Sequence, residues 1–264
     1  MTAVDYRSQT TLVTGASSGI GAELARRLAA RGSALVLVAR RADLLEALAT
    51  ELRDAHGVRV DVVAADLGAP GAADRLGAEV ERRGLRVTSL VNNAGFGVQG
   101  RFHEADPQVL RDMVQLDVAA LTDVTRVFAD GLRTAGTGVL VNVASIAAYL
   151  PTPSSAVYGA CKAYVLSLTE ALWVESAGTG LRVLALSPGL TRTEFFDRYG
   201  APAAAFGGVQ DPAAVVDTLL RTLDRAAPPA SVVTGWRNRA LTAAARLVPR
   251  SAALRLTART LGTA

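Results

Sequence analysis

Three residues in the middle of the chain have side chains suited to moving a proton to or from an oxygen. Tyr158 and Lys162 stand four positions apart in Tyr158-Gly159-Ala160-Cys161-Lys162, a spacing that puts both on one face of a helix. A free tyrosine has a pKa of about 10 and is a poor acid–base group at neutral pH. Positive charge beside the phenol favours tyrosinate and lowers that value. The pair can then hand a proton to a developing alkoxide or take one from an alcohol. Ser145 ends the apolar run Gly138–Ala144 that precedes the pair, and its hydroxyl can hydrogen-bond the reacting oxygen. Lys162 is the single lysine beside 27 arginines. It is either a chance survivor or the holder of a role that the planar, permanently charged arginine cannot fill.

A second group of residues is suited to holding phosphates. Gly15, Gly19 and Gly21 lie in Thr14-Gly15-Ala16-Ser17-Ser18-Gly19-Ile20-Gly21, between an apolar run at Thr10–Val13 and a helical pattern from about Ile20 to Ala30. Glycines there let backbone approach a ligand closely. The helix start behind them offers free N–H groups and a positive dipole end to a pyrophosphate. At the end of the next apolar run stand Val38-Ala39-Arg40-Arg41, with no acid. An Asp or Glu there binds the ribose 2′-hydroxyl of NAD, whereas an arginine accommodates the 2′-phosphate of NADP. Arg40 is the first candidate and Arg41 the second, which points to NADP(H).

These residues need a scaffold that brings strand ends together. Apolar runs at Leu35–Ala39, Val58–Ala64, Thr88–Val91, Gly138–Ala144, Leu181–Leu186 and Ser231–Thr234 alternate with helical patterns. The helices fall at about 43–55, 72–83, 107–134 (with a break or bend), 155–176 and 211–225, the last with Asp211 as N-cap and Pro212 at the first position. Such alternation implies βαβ units and a parallel sheet. The expected fold is α/β, a doubly wound Rossmann-type sheet with helices on both faces and ligands at the carboxyl ends of its strands. No linker or repeat divides the 264 residues, so residues 1–264 read as one domain.

The motifs together resemble the short-chain dehydrogenase/reductase family, in its compact single-domain branch that includes 3-oxoacyl and carbonyl reductases. The glycine turn, Asp66-Leu67, Asn92-Asn93-Ala94-Gly95, the Ser145, Tyr158 and Lys162 set and Pro188-Gly189 occur in the family's order over roughly residues 10–195. The resemblance implies a sheet of about seven strands and cofactor contacts from Gly15, Ser17, Ser18, Gly19, Ile20 and Gly21. It implies that Asp66 and Leu67 lie at the adenine, and that Asn92, Ala94 and Gly95 lie beside the cofactor. Asn92 also reads as a purely structural turn residue. Tyr158 would be the acid–base residue, Lys162 would also bind the nicotinamide ribose, and Ser145 would orient the carbonyl. Pro188, Gly189, Thr191 and Thr193 would border the nicotinamide end. The family usually has an Asn in the long helix before Ser145, and here Asp117 takes its place. Asp117 is either a working fourth catalytic residue or the mark of a weakened site. Members are usually dimers or tetramers, so a homodimer or homotetramer is expected.

The segment 190–210 gathers Phe195, Phe196, Tyr199 and Phe206 in a chain only 5% aromatic. By resemblance it covers the substrate, which suggests an apolar ketone or 3-oxoacyl compound; plain loop packing is the alternative. Tyr149, Ser154 and Ser155 are candidates for the opposite wall. Residues 236–264 carry six arginines among Leu, Val and Ala, a basic amphipathic pattern. It suits the body of the protein or another subunit better than a membrane surface. The net charge of +4 comes without a basic stripe bearing aromatic platforms, so no nucleic acid is expected. His56 and His103 lack metal-ligand spacing, and no metal is expected. The single Cys161 and the lack of a signal-like start or membrane-length apolar run suggest a cytoplasmic protein. The expected activity is hydride exchange between NADP(H) and a carbonyl or secondary alcohol of a small molecule. The alternative is an NADP(H)-binding sensor or scaffold without turnover.

Overall fold

The structure, a computed structural model, describes residues 4–195, 199 and 208–247. Alternating apolar runs and amphipathic stretches fold into seven parallel strands in the order β3-β2-β1-β4-β5-β6-β7. The strands are β1 (Thr10–Thr14), β2 (Ala34–Ala39), β3 (Val60–Ala64), β4 (Ser89–Asn92), β5 (Val139–Val143), β6 (Arg182–Ser187) and β7 (Ser231–Val233). Both faces of the sheet are apolar because both are covered. Val13, Leu35 and Leu37 face one helical layer, while their neighbours Leu12, Val36 and Val38 face the other.

The first layer holds α1 (Gly19–Ala30), α2 (Ala42–His56) and α7 (Pro212–Leu223), through Leu24, Leu28, Leu45, Leu52 and Leu219. On the opposite face lie α3 (Ala72–Arg82), α5 (Leu121–Ala135) and α6 (Ala156–Glu175). There Leu76, Val80, Val124, Phe128 and Leu132 fill one cluster, and Val165 and Leu166 another. Local chemistry fixes the helix ends. Asp211 caps α7 by accepting the Ala213 N–H at 3.0 Å, with Pro212 at the first position. Gly57 ends α2 in the left-handed region at φ 65°.

The long helical pattern from Pro107 is divided. α4 (Pro107–Val114) passes through a π-helical turn, Gln115–Ala120, before α5 begins. The basic stretch forms α8 (Trp236–Leu247), which buries Asn238 and Thr242 and leaves Trp236, Arg237 and Arg239 exposed. This part of the tail therefore covers the body of the protein. Residues 248–264, like Phe196 and Phe206, lie outside the described residues. Among the described residues, no helix is long and apolar enough to cross a membrane.

The strand order reverses on the two sides of β1, which pairs with β2 and β4. Connections leave β1 and β4 in opposite directions there, and a crevice opens at the carboxyl edge.

Candidate functional site

A cleft of about 720 Å³ lies along that edge, lined from the turn after β1 to the segment after β6. At one end Gly15, Ser17, Ser18, Gly19 and Ile20 lead into the start of α1. Gly15 has φ 64°, a conformation that suits glycine. Gly21 lies beneath the turn, and a Cβ there would sit 2.3 Å from the Gly15 carbonyl oxygen. The turn thus has no room for a side chain at Gly21. Asn93 braces it, donating from Nδ2 to the Thr14 and Gly15 carbonyls at 3.0 and 3.2 Å.

Arg40, Arg41, Asp66 and Leu67 line the same end. Arg41 donates to Ser17 Oγ at 3.1 Å and pairs with Glu194 at 2.7 Å. Arg40 is exposed and makes no hydrogen bond or ion pair among the described residues. Asp66 accepts the Gly68 N–H at 3.0 Å.

Asn92 is turned away from the cleft, against the expectation that it lies beside the cofactor. Its Nδ2 donates to Thr125 Oγ1 and Asn142 Oδ1, both at 2.9 Å, and the side chain is buried under α5. Asn93, Ala94 and Gly95 line the cleft instead. The reason is strand parity: Asn92 shares the face of Leu90, two residues earlier, which packs in the α3–α5 layer.

At the other end Ser145, Tyr158 and Lys162 come together with Pro188, Gly189, Thr191 and Thr193. Ser145 follows β5 in an extended conformation, φ −166°, and its Oγ accepts the Ala147 N–H at 3.2 Å. Lys162 lies one turn along α6, its Nζ 5.7 Å from the Tyr158 ring centre and donating to the Val143 carbonyl at 3.3 Å. Asp117 is fully buried behind the lysine, with Oδ2 3.0 Å from Nζ. That contact is an ion pair whose angles are not those of a hydrogen bond. Asp117 Oδ1 accepts the Phe96 N–H at 2.9 Å.

Burial is the largest influence on all three titratable groups. It pushes the Tyr158 phenol above its ordinary value, against the pull of Lys162 and Ser145; Asp117 and Tyr199 add to the push. The ammonium alone does not outweigh desolvation here; the expected lowering combines it with the positive charge of an oxidised nicotinamide. Burial opposes the Lys162 charge, yet Asp117 and Tyr158 more than offset it, so the ammonium is retained. For Asp117 burial raises the carboxyl, while Lys162 and the Phe96 N–H pull it back. A charged pair is the consistent reading, since a neutral Asp117 would leave a lone cation buried. Cys161 is buried, and desolvation holds its thiol up to about 11, so it is a packed thiol rather than a nucleophile.

Aromatic rings wall this end of the cleft. Tyr158 lies 5.6 Å from both Phe195 and Tyr199, which stack on each other at 5.2 Å. The Tyr199 hydroxyl meets Ser155 Oγ at 2.7 Å. Phe96, Leu150, Pro151, Pro153 and Leu241 complete an apolar lining. Ser155 is part of it, while Tyr149 bonds Ser187 at 3.3 Å and neither it nor Ser154 lines the cleft. Leu241 and the Leu150–Pro153 wall were not foreseen, because nothing in their types marks them apart from ordinary core residues.

The order of strands, the glycine turn and a tyrosine–lysine pair at the opposite end of the cleft describe a doubly wound α/β protein with a ligand-sized cleft at the carboxyl edge of its sheet. Residues 9–203 match the family model for short chain dehydrogenases, and the chain belongs to the short-chain dehydrogenase/reductase family. It is therefore an oxidoreductase of carbonyls or alcohols that binds a nicotinamide cofactor. It is 40% identical to a sulfoacetaldehyde reductase of Chromohalobacter salexigens over 69% of this chain and 72% of that one. Among solved structures, it resembles a short-chain dehydrogenase from Sphingobium yanoikuyae in complex with NADPH. There the TM-score is 0.78 and the identity 36%, covering 90% of this chain and 94% of that one. A bulky-bulky ketone specific alcohol dehydrogenase from Comamonas testosteroni matches with a TM-score of 0.76 and 32% identity, over 91% and 93% of the two chains.

The glycine turn makes a direct prediction. Gly21→Ala forces the turn open by setting a methyl group against the Gly15 carbonyl. Nicotinamide-cofactor affinity, measured by fluorescence titration, should fall by about tenfold or more, in line with the usual cost of overpacking.

Proposed function

We propose that the protein is an NADP(H)-dependent reductase of apolar, uncharged ketones or 3-oxoacyl compounds, or a dehydrogenase of the matching secondary alcohols. The observation that carries this reading is the meeting of Ser145, Tyr158 and Lys162 with an aromatic wall in the cleft that begins at the glycine cradle. The cradle and the start of α1 would hold the pyrophosphate, and Arg40 the 2′-phosphate. Asp66 and Leu67 would border the adenine, Ala94 and Gly95 the middle of the cofactor. Pro188, Gly189, Thr191 and Thr193 would flank the nicotinamide, and Lys162 its ribose. When bound, the nicotinamide supplies or accepts the hydride.

The chain's own residues handle the oxygen. Ser145 orients the carbonyl by hydrogen bonding, and Tyr158 donates its proton to the oxygen in reduction or removes one from the alcohol in oxidation. Lys162 stabilises the phenolate left behind. The apolar lining excludes water and favours an uncharged substrate. The described cations lining the cleft are Arg40 and Arg41 at the adenosine end and the paired Lys162. That distribution suits a bulky ketone better than a small anionic aldehyde.

The test of the cofactor half is Arg40→Ala. A charge-assisted contact to phosphate contributes about 1.5–3 kcal/mol, so KM for NADPH should rise by about tenfold or more while KM for NADH stays level. Arg41→Ala should do less, because Arg41 is engaged by Ser17 and Glu194. Equal effects on both cofactors would remove Arg40 from the 2′-phosphate site.

A further inference from the structure

Asp117 is placed by the least regular part of the helical frame. The π-helical turn Gln115–Ala120 between α4 and α5 carries it into the interior, and such turns recur at functional sites. Two contacts hold it there, from the Phe96 N–H after β4 and the Lys162 ammonium on α6. The carboxylate has 0% exposure and Lys162 6%, so solvent screens their fields little.

The groups acting on this cluster come from four directions. α6 contributes Tyr158, Cys161 and Lys162; the π turn contributes Asp117; the end of β5 contributes the Ser145 hydroxyl; and Tyr199 faces the phenol from the segment after β6. Cys161 is protonated throughout the physiological range. Among the described residues the phenol therefore feels one cation, Lys162, whose partner carboxylate touches it at 3.0 Å. A lone ammonium favours tyrosinate strongly. An ammonium with a carboxylate against it acts as a dipole, and its field at the phenol is weaker.

We propose that Asp117 is a positioning residue that sets the proton affinity of Tyr158 through Lys162, extending to higher pH the range in which the phenol is a proton donor. The proposal rests on Tyr158 being the proton-transfer group. Reduction of a carbonyl, which needs the protonated phenol, then runs across neutral pH. Oxidation of an alcohol needs the phenolate and is confined to more alkaline conditions. The direction of the Asp117 influence on Tyr158, upward, agrees with this reading.

The experiment is Asp117→Asn in the full chain with saturating NADP⁺. The amide keeps an acceptor for the Phe96 N–H and removes the charge. Tyrosinate absorbance is titrated against pH, with Tyr158→Phe subtracted to isolate the one phenol. The midpoint should move down by about one pH unit, the lower end of what a nearby charge does. The acidic limb of alcohol oxidation should move with it. No movement, or an upward one, would overturn the proposal; an upward shift would mean that Asp117 serves mainly to keep Lys162 charged. A purely structural role changes the yield of folded enzyme and every rate together without moving the midpoint. Asp117→Ser gives the same reading should the Asn variant not fold. Because the titration needs no turnover, it tests Asp117 even if Tyr158→Phe proves active and the proposed chemistry fails.

Discussion

Tyr158→Phe removes turnover by about 10³-fold and leaves NADPH affinity within about twofold of the parent, the size of effect expected for deleting a general acid–base group. The substitution deletes a single oxygen. The ring keeps its packing between Phe195 and Tyr199, and the glycine cradle at the other end of the cleft is untouched. Because burial favours the protonated phenol, the parent should lose carbonyl-reducing activity as pH rises through the Tyr158 pKa. The residual activity of Tyr158→Phe should lack that limb. Single-turnover measurements of NADPH oxidation separate this from a binding defect. A variant that retained most of the rate would take the catalytic assignment down with it.

Lys162→Met should be the most destabilising substitution in the site. It leaves the Asp117 carboxylate with 0% exposure and no counter-ion, and breaking a buried ion pair from one side costs about 3–5 kcal/mol. The loss should depend on pH. Burial already raises Asp117 above its ordinary value of 3.8, and Lys162 is the chief influence opposing that. Without the lysine, the folded-state value lies still higher above the unfolded one. A raised carboxyl favours folding below its unfolded pKa, and that contribution is lost as pH rises through the folded pKa. The variant should therefore be closest to the parent in acid and weakest at neutral pH. Urea unfolding at both pH values measures this. Lys162→Met with Asp117→Asn should recover most of the neutral-pH loss, the signature of a coupled pair.

Much of this architecture is legible in the amino-acid sequence. Each strand and helix of the sheet follows from runs such as Leu35–Val38 and amphipathic stretches such as 43–55, because a sheet covered on both faces demands continuous apolar strands. The cradle followed from glycines at a strand–helix junction. Asn92 shows the limit: the motif drew attention to it, but parity along β4 assigns its side chain to the interior and leaves Asn93 at the cradle. The ordering of Arg40 above Arg41 rested on position alone, and the Glu194 partner, 153 residues away, is a tertiary contact that no local pattern announces. The same holds for burial. Spacing predicted that Lys162 would act on Tyr158, but the larger opposing influence of desolvation depends on packing by residues far along the chain.

The most direct measurement is the absorbance of NADPH in the presence of the enzyme and a bulky, uncharged ketone, beside NADH and beside a small anionic aldehyde. Steady loss of NADPH with the ketone, faster than with NADH or with the anionic aldehyde, is the expected result. Tight NADPH binding with no oxidation on any carbonyl would rule out the proposed reductase, and would favour a protein that binds the cofactor without using it.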